Sequence, residues 1–333
     1  MAIYTVTITG IDVSRWIRDI PAIPRNKGSL GTLADIPGLT LVGDNTKQVW
    51  NPEHPNSVLD ANWRGEPVVV TINGDRVYEG EMRNVILSEE GRVATIELTS
   101  RINRILSTNF PFYYADLLTF AEISASIYAS FGINWDSTSY ARAKVQQQYY
   151  GLQARTSINP GAQLSLLTCQ QFLANAGFCR HYFVKNVAYM DFIDPYTART
   201  SMGTIVDDDI LDISDYSLIE QDDYNGYQVQ TATGLAIVNG STMAPTLELG
   251  ADKPFIMPTP AGGHEWGKLM IAYSEGNKYS ITTHLAKGQI TSWLDLDSII
   301  TINSAKFGIN KQFEVISIDD SNRLGPIVTG ESL

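Results

Sequence analysis

Histidine and carboxylate side chains are the groups in this sequence that could hold a metal ion or move a proton. The four histidines are His54, His181, His264 and His284, and no His-x-His or His-Glu-x-x-His spacing occurs among them. Turn or surface roles account for all four. The sequence therefore predicts no metal site built on histidine.

Two short acidic runs, Asp207-Asp208-Asp209 and Asp222-Asp223, are the next candidates for binding a cation. A calcium loop alternates Asp or Asn with other residues, has a central glycine and ends on a glutamate. Neither run has that pattern. Solvated, turn-forming roles are favoured for both.

The sequence lacks the motifs of nucleophilic and phosphate chemistry. It has no Gly-x-Ser-x-Gly elbow, no Walker loop and no Gly-x-Gly-x-x-Gly after a predicted strand. A carboxylate pair for glycoside hydrolysis can lie far apart in a chain, and nothing here singles out such a pair. We therefore predict no enzyme, with no catalytic, cofactor-binding or metal-binding residue and no cofactor.

The composition indicates a folded protein of two or three domains. The chain has 333 residues, of which 44% are hydrophobic, and its mean hydropathy is −0.09. No apolar run reaches the roughly 18 residues of a membrane-spanning helix. The N-terminal sequence MAIYTVTITG alternates like a strand and does not resemble a signal peptide, so we expect assembly in a cytoplasm without stable membrane insertion.

The two cysteines, Cys169 and Cys179, lie ten residues apart around the end of a predicted helix. A disulfide between them is conceivable, but reduced thiols in the core are favoured in a cytoplasm. Two cysteines cannot cross-link a fold of this size, so side-chain packing must hold the protein together.

The net charge of −12 is unevenly distributed. Residues 1–160 include 14 basic and 16 acidic residues, whereas residues 161–333 include 10 and 20. A nucleic-acid-binding protein needs Lys and Arg to neutralise phosphates, so this balance argues against such binding. It is compatible with a surface that nucleic acid passes without sticking, or with solubility alone.

Residues 1–105 are predicted to be mostly β. Residues 4–8 alternate at a period of two, and Asn73-Gly74 after residues 68–72 is a strong signal for a tight hairpin. Residues 43–62 form a polar loop that is a candidate interface. Short strands at this spacing with tight turns predict a small barrel or sandwich.

Residues 106–204 are predicted to form a small α+β insert, a helix-hairpin module. Residues 117–131 have apolar side chains at helical spacing, and Gly132 follows as a C-terminal cap. A second helix is predicted at 162–176, ended by Gly177. A hairpin is predicted at 178–193.

Residues 205–333 are predicted to return to β structure, with a second β region built from about 205–240 and 265–330. Residues 266–273 and 279–284 are predicted strands. The Pro/Gly-rich stretch 240–264 is predicted to be a long irregular loop and a second candidate interface. The fold class is therefore mainly β with an α+β insert.

A faint internal match links the two β regions at a constant offset of 230 residues. Without gaps, Trp63 falls on Trp293, and the tripeptide TIN at 71–73 falls on the TIN at 301–303. Val85-Ile86 falls on a second Val-Ile pair at 315–316. Most other positions differ. We interpret the match as two copies of one β unit, which is typical of proteins that build symmetry.

The sequence is rich in tyrosine, with 16 residues against 11 phenylalanines. The clusters at 110–114 (FPFYY) and 149–150 (YY) lie outside clear amphipathic elements. Tyrosine-rich surfaces suit protein–protein contact, because the rings give contact area at low entropic cost. Ordinary core packing is the alternative.

Several degenerate motifs occur in a recognisable order. They are the turn IDVS at 11–14, the strand VVVTING at 68–74 followed by VYEG at 77–80, the segment INPG at 158–161 with Leu173-Ala174 and Gly177 before the hairpin, and the segments ILDIS at 210–214 and YNGYQV at 224–229. This order resembles the baseplate hub, or tail-tube-like hub, of tailed bacteriophages and related contractile injection systems. The sequence departs from that pattern at Glu81-Met82 and in the 240–264 loop.

The resemblance implies a structural function. Each subunit would carry two tube-like barrels, so that a homotrimer presents six similar barrels in a pseudo-sixfold ring. One face would bind the hexameric tail tube or a distal tail protein, and the other a trimeric spike or tip. A tape measure protein would be a further partner, and DNA would pass through the acidic channel without specific binding. The resemblance places the protein in the virion, in the tail baseplate.

Two alternatives remain at the level of sequence. One is a receptor- or carbohydrate-binding β-domain protein of a virion, with Trp50, Trp63 or Trp266 exposed in a groove. The other is a degenerate glycosidase or peptidase, since some hubs carry fused lysins.

Overall fold

The computed structural model describes residues 4–20, 25–28, 30–33, 36, 38–60, 62–72, 74–109, 116–156, 164–197, 199–219, 226–231, 234–238, 246–247, 255–256, 259–274, 278–286, 294–296, 298–319 and 325–333. The chain divides into two compact units. The first comprises 1–24, 35–107 and 184–186, and the second comprises 25–34, 108–183 and 187–333. No described helix is long and apolar enough to cross a membrane.

The first unit is built on one seven-stranded sheet, with the strand order β2-β1-β6-β7-β8-β5-β3. All its neighbouring strands are antiparallel. The strands are β1 Tyr4–Ile8, β2 Ile11–Asp12, β3 Ile17–Asp19, β5 Leu39–Asp44, β6 Pro67–Ile72, β7 Asp75–Ser88 and β8 Val93–Ser100. The pairing of Ile72 with Asp75 confirms the predicted tight hairpin, although Asn73 itself lies outside the described residues.

One face of this sheet holds the core of the first unit. Strand β8 alternates half-buried and buried residues along its whole length, as a strand with one covered face must. The centre of the core is Trp50, which is fully buried and packs with Tyr78 in the same apolar cluster. Gly43 makes room for Trp50, because a Cβ there would lie 2.6 Å from the indole Nε1.

The second unit contains a similar sheet, with the strand order β13-β20-β21-β22-β19-β14 and β4 paired to β21. The strands are β4 Arg25–Asn26, β13 Gly203–Val206, β14 Ile210–Leu218, β19 Tyr279–Leu285, β20 Ile299–Ser304, β21 Ile309–Asp319 and β22 Ile327–Ser332. Buried side chains such as Phe313 and Ile281 form its core.

The two sheets share one topology. Strands β6-β7-β8-β5-β3 correspond in order to β20-β21-β22-β19-β14, and the place of β1 is taken by β13. They differ at that place, since β1 is antiparallel to β6 whereas β13 is parallel to β20. The predicted duplication is therefore present as a repeated strand order.

The structural repeat includes the β-bulges of the two sheets. The long strands β7 and β21 each have a β-bulge, between Met82 and Asn84 in one and between Val315 and Ser317 in the other. These bulges lie 233 residues apart, whereas the ungapped sequence match has an offset of 230. At the bulges the sequence match therefore aligns residues that are three positions away from the structurally equivalent ones. Trp293, at the start of the match, lies outside the described residues.

Short connections force both sheets to curl. In the second sheet β13 and β14 lie at opposite edges, about 24 Å apart if the sheet were flat. Only residues 207–209 join them, and such a link spans about 14 Å at most. In the first sheet residues 13–16 similarly join the edge strands β2 and β3. Each sheet must therefore bend into a half-barrel.

The rest of the second unit contains the predicted helices and hairpin. Its elements are β9 Asp116–Thr119, α2 Phe120–Ser130, α3 Ser137–Tyr149, β10 Gln153–Thr156, α4 Leu166–Ala176, β11 Cys179–Val184 and β12 Val187–Phe192, while α1 Arg101–Leu106 belongs to the first unit. Helix α2 starts later than predicted because Thr119 and Glu122 form a capping box. Both cysteines are free and buried, as predicted.

One predicted strand is wrong. Residues 266–273 belong to helix α5, Pro260–Ser274, which also includes the end of the predicted 240–264 loop. The helix packs on the hairpin of β15 Tyr227–Thr231 and β16 Gly234–Val238. The short strand β17 Thr246–Leu247 pairs with β15, whereas β18 Phe255–Ile256 pairs with β10. Its glycines permit this, because a Cβ at Gly267 would lie 2.6 Å from Val238 and one at Gly263 3.0 Å from Ala236.

The fold class is confirmed. The protein is mainly β, with two curled barrel-like sheets and a small helical part.

Replacing Gly43 with alanine tests the close packing of the first sheet. The added methyl group would overlap the buried indole of Trp50, and such overpacking typically costs about 1–3 kcal/mol. We expect a lower urea midpoint with an unchanged slope. The control is Thr40→Ala on the exposed side of the same strand, expected to change stability by about 0.5 kcal/mol or less. Equal midpoints for the two variants would contradict this description of the core.

Candidate functional site

A buried charge network is the most strongly polar feature of the second unit. Its centre is Glu314 on β21, which is 5% exposed. Three cations surround this carboxylate, namely Lys27 next to β4, Arg180 on β11 and Arg199 after β12. The network thereby ties the β11–β12 hairpin to the second sheet.

Short distances connect the charged groups of this network. Arg180 Nη1 lies 2.5 Å from Glu314, and its Nη2 donates to Glu331 on β22 at 2.8 Å. Arg199 lies 3.0 Å from Glu314. Lys27 Nζ lies 3.2 Å from Asp191 and 3.6 Å from Glu314. Each buried carboxylate of the network thus has at least one cationic partner, as buried charges require.

The electrostatics follow from this arrangement. Burial alone would raise the pKa of Glu314, but Arg180, Arg199 and Lys27 outweigh burial and lower it to about 2 from 4.5. Burial and then the nearby Arg180 lower the pKa of Lys278 to about 8 from 10.5. Its ammonium group lies 3.1 Å from the ring centroid of Tyr273, in a cation–π contact.

Two cavities flank the pair formed by Arg199 and Glu314. One has a volume of about 280 Å³ and is bounded by α3 and β12, with Arg142 and Gln146 at its wall. The other has a volume of about 450 Å³ and is bounded by α5 and the sheet, with Tyr273 and Lys278 at its wall. The groups that line these cavities are suited to binding a ligand and holding it in position. No described group of three or more His, Cys, Asp or Glu residues could hold a metal ion.

His181 contradicts the turn or surface role predicted for the histidines. It is fully buried among helices, and its Nε2 lies 3.0 Å from the hydroxyl of Tyr140. That hydroxyl lies 3.2 Å from Ser124, which donates to Gln170 at 2.7 Å. Burial lowers the pKa of His181 to about 3, so its ring is neutral. A Ser–Tyr–His chain without solvent access organises a core and cannot meet a substrate.

The three tryptophans proposed for an aromatic groove are not exposed platforms. Trp50 is fully buried, and its backbone N–H donates to Asn45 Oδ1 at 2.7 Å. Trp266 is 2% exposed, and its Nε1 donates to the carbonyl oxygen of Asn175. Trp63 packs half-buried against the core of the first unit. The sequence could not distinguish these core roles, because large aromatic residues serve cores and binding surfaces alike.

The structure describes the two predicted interface loops to different extents. The loop 43–62 contributes Val49, Trp50 and Leu59 to the core, and its outer residues are polar. Of the 240–264 loop, most residues before 259 lie outside the described part of the chain. Both interface roles stay predictions.

The tyrosine clusters also differ. Residues 110–114 lie outside the described residues. Tyr149, at the end of α3, is 79% exposed. It stands edge-on to Tyr150, which stacks on Phe192 and donates to Asp194 at 3.2 Å. Tyr149 is thus a supported, exposed ring, the kind of side chain that protein interfaces use.

The acidic run 207–209 forms the 3₁₀ helix that joins β13 to β14, which agrees with the predicted turn-forming role. Asp207 accepts hydrogen bonds from the Ser304 hydroxyl and from the Lys306 backbone N–H. Asp209 accepts from the Val206 backbone N–H at 3.0 Å. The other run, 222–223, lies outside the described residues.

Sequence reasoning missed a second repeat that this connection reveals. In the first unit the 3₁₀ helix 14–16 precedes the sequence IRDI at 17–20, and in the second the 3₁₀ helix 207–209 precedes ILDI at 210–213. Both segments have a β-bulge after their first isoleucine, at Arg18 and at Leu211. Comparison of the sequence with itself at an offset of 193 would have found this match.

Three solved structures resemble this chain over nearly its whole length. A tail protein from Neisseria meningitidis has a TM-score of 0.61 at 12% identity, and the match covers 99% of this chain and 96% of that one. The 43 kDa prophage tail protein from Shewanella oneidensis has a TM-score of 0.57 at 13% identity, covering 99% and 97%. A prophage tail protein from Listeria monocytogenes has a TM-score of 0.56 at 9% identity, covering 98% and 94%.

This chain shares the fold of these tail proteins. No family model matches its sequence, and no curated protein sequence matches it.

Replacing Glu314 with glutamine tests the charge network. The variant leaves Arg180, Arg199 and Lys27 around a neutral amide, and breaking a buried ion pair in this way costs about 3–5 kcal/mol. Chemical unfolding should show this loss. The matched control is Glu265→Gln, which removes a single exposed ion pair with Lys268 and should cost about 1 kcal/mol or less. A loss no larger than that of the control would refute a structural role for the network.

The pH dependence of stability provides a second test of Glu314. Its folded pKa of about 2 lies below the ordinary 4.5, so the folded state favours the ionised carboxylate. The resulting stabilisation is complete above pH 4.5 and is lost as the pH falls towards 2. Between these values the unfolding free energy of the wild type should fall more steeply than that of Glu314→Gln. Parallel curves would contradict the assignment.

Proposed function

We propose that this protein is a structural subunit of a bacteriophage-like tail, acting as a baseplate hub. The observation that carries the proposal is the repeated half-barrel topology within one chain. A homotrimer of a chain with two similar sheets presents six similar sheets in a pseudo-sixfold ring. Such a ring can join a sixfold tail tube on one face to a threefold spike or tip on the other.

The fold shared with three tail proteins supports the tail assignment, and the function itself is our proposal. In this role the subunit is not an enzyme. It acts within the virion, at the tail baseplate, after assembly in the host cytoplasm. Its partners are its own copies, the tail tube or a distal tail protein, the spike or tip and a tape measure protein.

The net charge of −12 fits a channel for DNA. Acidic walls repel phosphates, so DNA can pass without being held by ion pairs. Specific DNA binding is not part of the proposal. The alternative function in a virion, carbohydrate binding on exposed tryptophans, loses its support because Trp50 and Trp266 are buried.

The mass of the purified protein in solution tests the proposed assembly. The chain has a mass of 36.8 kDa, so light scattering should give about 110 kDa for a trimer. Negative-stain images should then show rings with a central hole and six-lobed projections. A compact monomer without a channel at high micromolar concentration, also in the presence of tail-tube protein, would refute the hub proposal.

A further inference from the structure

Strand β16 lies at the edge of the small sheet β16-β15-β17. It pairs with β15 over five consecutive residues without a β-bulge, and no described strand lies on its other side. Its sequence, GLAIV, has neither a charged residue nor a proline. Natural proteins usually protect a sheet edge with charges, prolines or bulges, because its free backbone groups can pair with another strand. The edge of β16 is therefore open to the addition of a strand.

The edge strand β14 of the second sheet differs from β16. It contains two aspartates, Asp212 and Asp215, and two β-bulges interrupt its pairing with β19. Both features hinder the addition of a further strand. The chain thus protects the edge at β14 and leaves the edge at β16 unprotected.

The backbone groups that β16 offers at its free edge belong to Leu235 and Ile237. Only two residues separate the paired Thr231 and Gly234, and the carbonyl oxygen of Gly234 accepts a hydrogen bond from the Thr231 hydroxyl at 2.6 Å. Gly234 therefore directs its backbone groups towards β15. Successive residues of a strand alternate in this respect, so the N–H and C=O groups of Leu235 and Ile237 point away from β15.

The side chains of β16 alternate as well. Ala236 and Val238 are buried beneath the glycines of α5. Leu235 and Ile237 face the opposite way and are 44% and 49% exposed. A strand that adds to this edge should therefore be uncharged, since a charge would lose water beside these apolar side chains. It should also offer free backbone groups and apolar side chains at the same alternate positions.

We infer that β16 of one copy pairs antiparallel with β16 of a second copy. The strand itself meets each of these requirements, and a twofold axis would pass between the two Ala236 residues. Leu235 of each copy then lies opposite Ile237 of the other, and each such pair exchanges two backbone hydrogen bonds. The four apolar side chains cover one another on one face of a continuous six-stranded sheet.

The position of α5 is compatible with this pairing. The helix packs on both β15 and β16, so its axis lies above the space between them, about 2.4 Å to the side of β16. The two β16 strands would be about 4.8 Å apart. The twofold axis places both helices on the same face of the joined sheet, with their axes roughly 10 Å apart. Packed helices lie about 8–10 Å apart, so the two helices would touch without overlapping.

The inference goes beyond the proposed hub. A twofold contact cannot lie within a threefold ring, so together with the threefold contacts it would join two rings into six copies, about 220 kDa. The contact between two single copies is small and should be weak. Three such contacts between two rings would act together and hold more strongly. The pairing would cover the open edge of the free protein and so limit its aggregation.

Charge substitutions on β16 test the pairing and its register. Sedimentation velocity would be measured over a range of concentrations for the wild type, Leu235→Lys, Ile237→Glu and an equimolar mixture of the two variants. Each variant alone places a charge opposite an apolar side chain, so its twofold association should weaken about tenfold or more. The mixture should recover most of the loss, because the lysine of one variant stands opposite the glutamate of the other.

The matched control is Val145→Lys, which adds the same charge at a 62% exposed position on α3. It should leave the dissociation constant within about threefold of the wild type, because the substitution lies away from β16. Hydrogen exchange provides a second measurement. The amides of Leu235 and Ile237 should exchange more slowly as the concentration of the wild type rises, and this protection should be lost in Leu235→Lys.

The outcomes separate this inference from the proposed function. Rings of three copies that never pair, or a mixture that does not recover association, would overturn the strand pairing and leave the hub proposal standing. Pairs of about 74 kDa that Leu235→Lys dissociates, without any species of three copies, would support the pairing and refute the hub. A monomeric wild type would overturn both. Unchanged self-association of Leu235→Lys with lost binding of tail-tube protein would assign the edge to that partner and overturn the pairing.

Discussion

The shape of both sheets depends on the short connection between their outer strands. Residues 13–16 in the first sheet and 207–209 in the second join strands at opposite edges, so neither sheet can lie flat. Hydrogen bonds hold each connection to a strand of its own sheet, from the Val6 backbone N–H to the Ser14 hydroxyl in one sheet and from the Ser304 hydroxyl to Asp207 in the other. The curvature therefore follows from the shortness of these connections. The β propensity of the residues in the strands does not by itself determine it.

The remaining interactions complete these half-barrels. Trp50 fills the first one, and Gly43 gives it room. The network around Glu314 links the second sheet to the hairpin β11–β12, where charges substitute for an apolar contact. Such a network demands defined geometry, because each missing partner leaves a buried charge. The network fixes the position of the hairpin, and it tolerates few substitutions of its charged residues.

Much of the fold could be predicted from the sequence, since local patterns determine it. Alternation at residues 4–8 predicted β1, and glycines at 132 and 177 marked the ends of two helices. Helix α5 could not be predicted in this way, because Gly262-Gly263 is a typical loop signal and its packing on Val238 is a tertiary effect. The burial of Trp50 and the network at Glu314 join residues distant in sequence, which no local pattern reveals. The match of IRDI at 17–20 with ILDI at 210–213 was missed because its offset of 193 differs from the offset of 230.

The parallel pairing of β13 with β20 sets an order of events during synthesis. The first sheet has all its strands once residue 100 has been made. In the second sheet β13 must wait about one hundred residues for its neighbour, and β14 waits about sixty for β19. Contacts between such distant segments form slowly. The nascent chain therefore carries a complete first half-barrel while β14, with Leu211 and Tyr216, still lacks its neighbouring strand. A chaperone has most to protect during this interval.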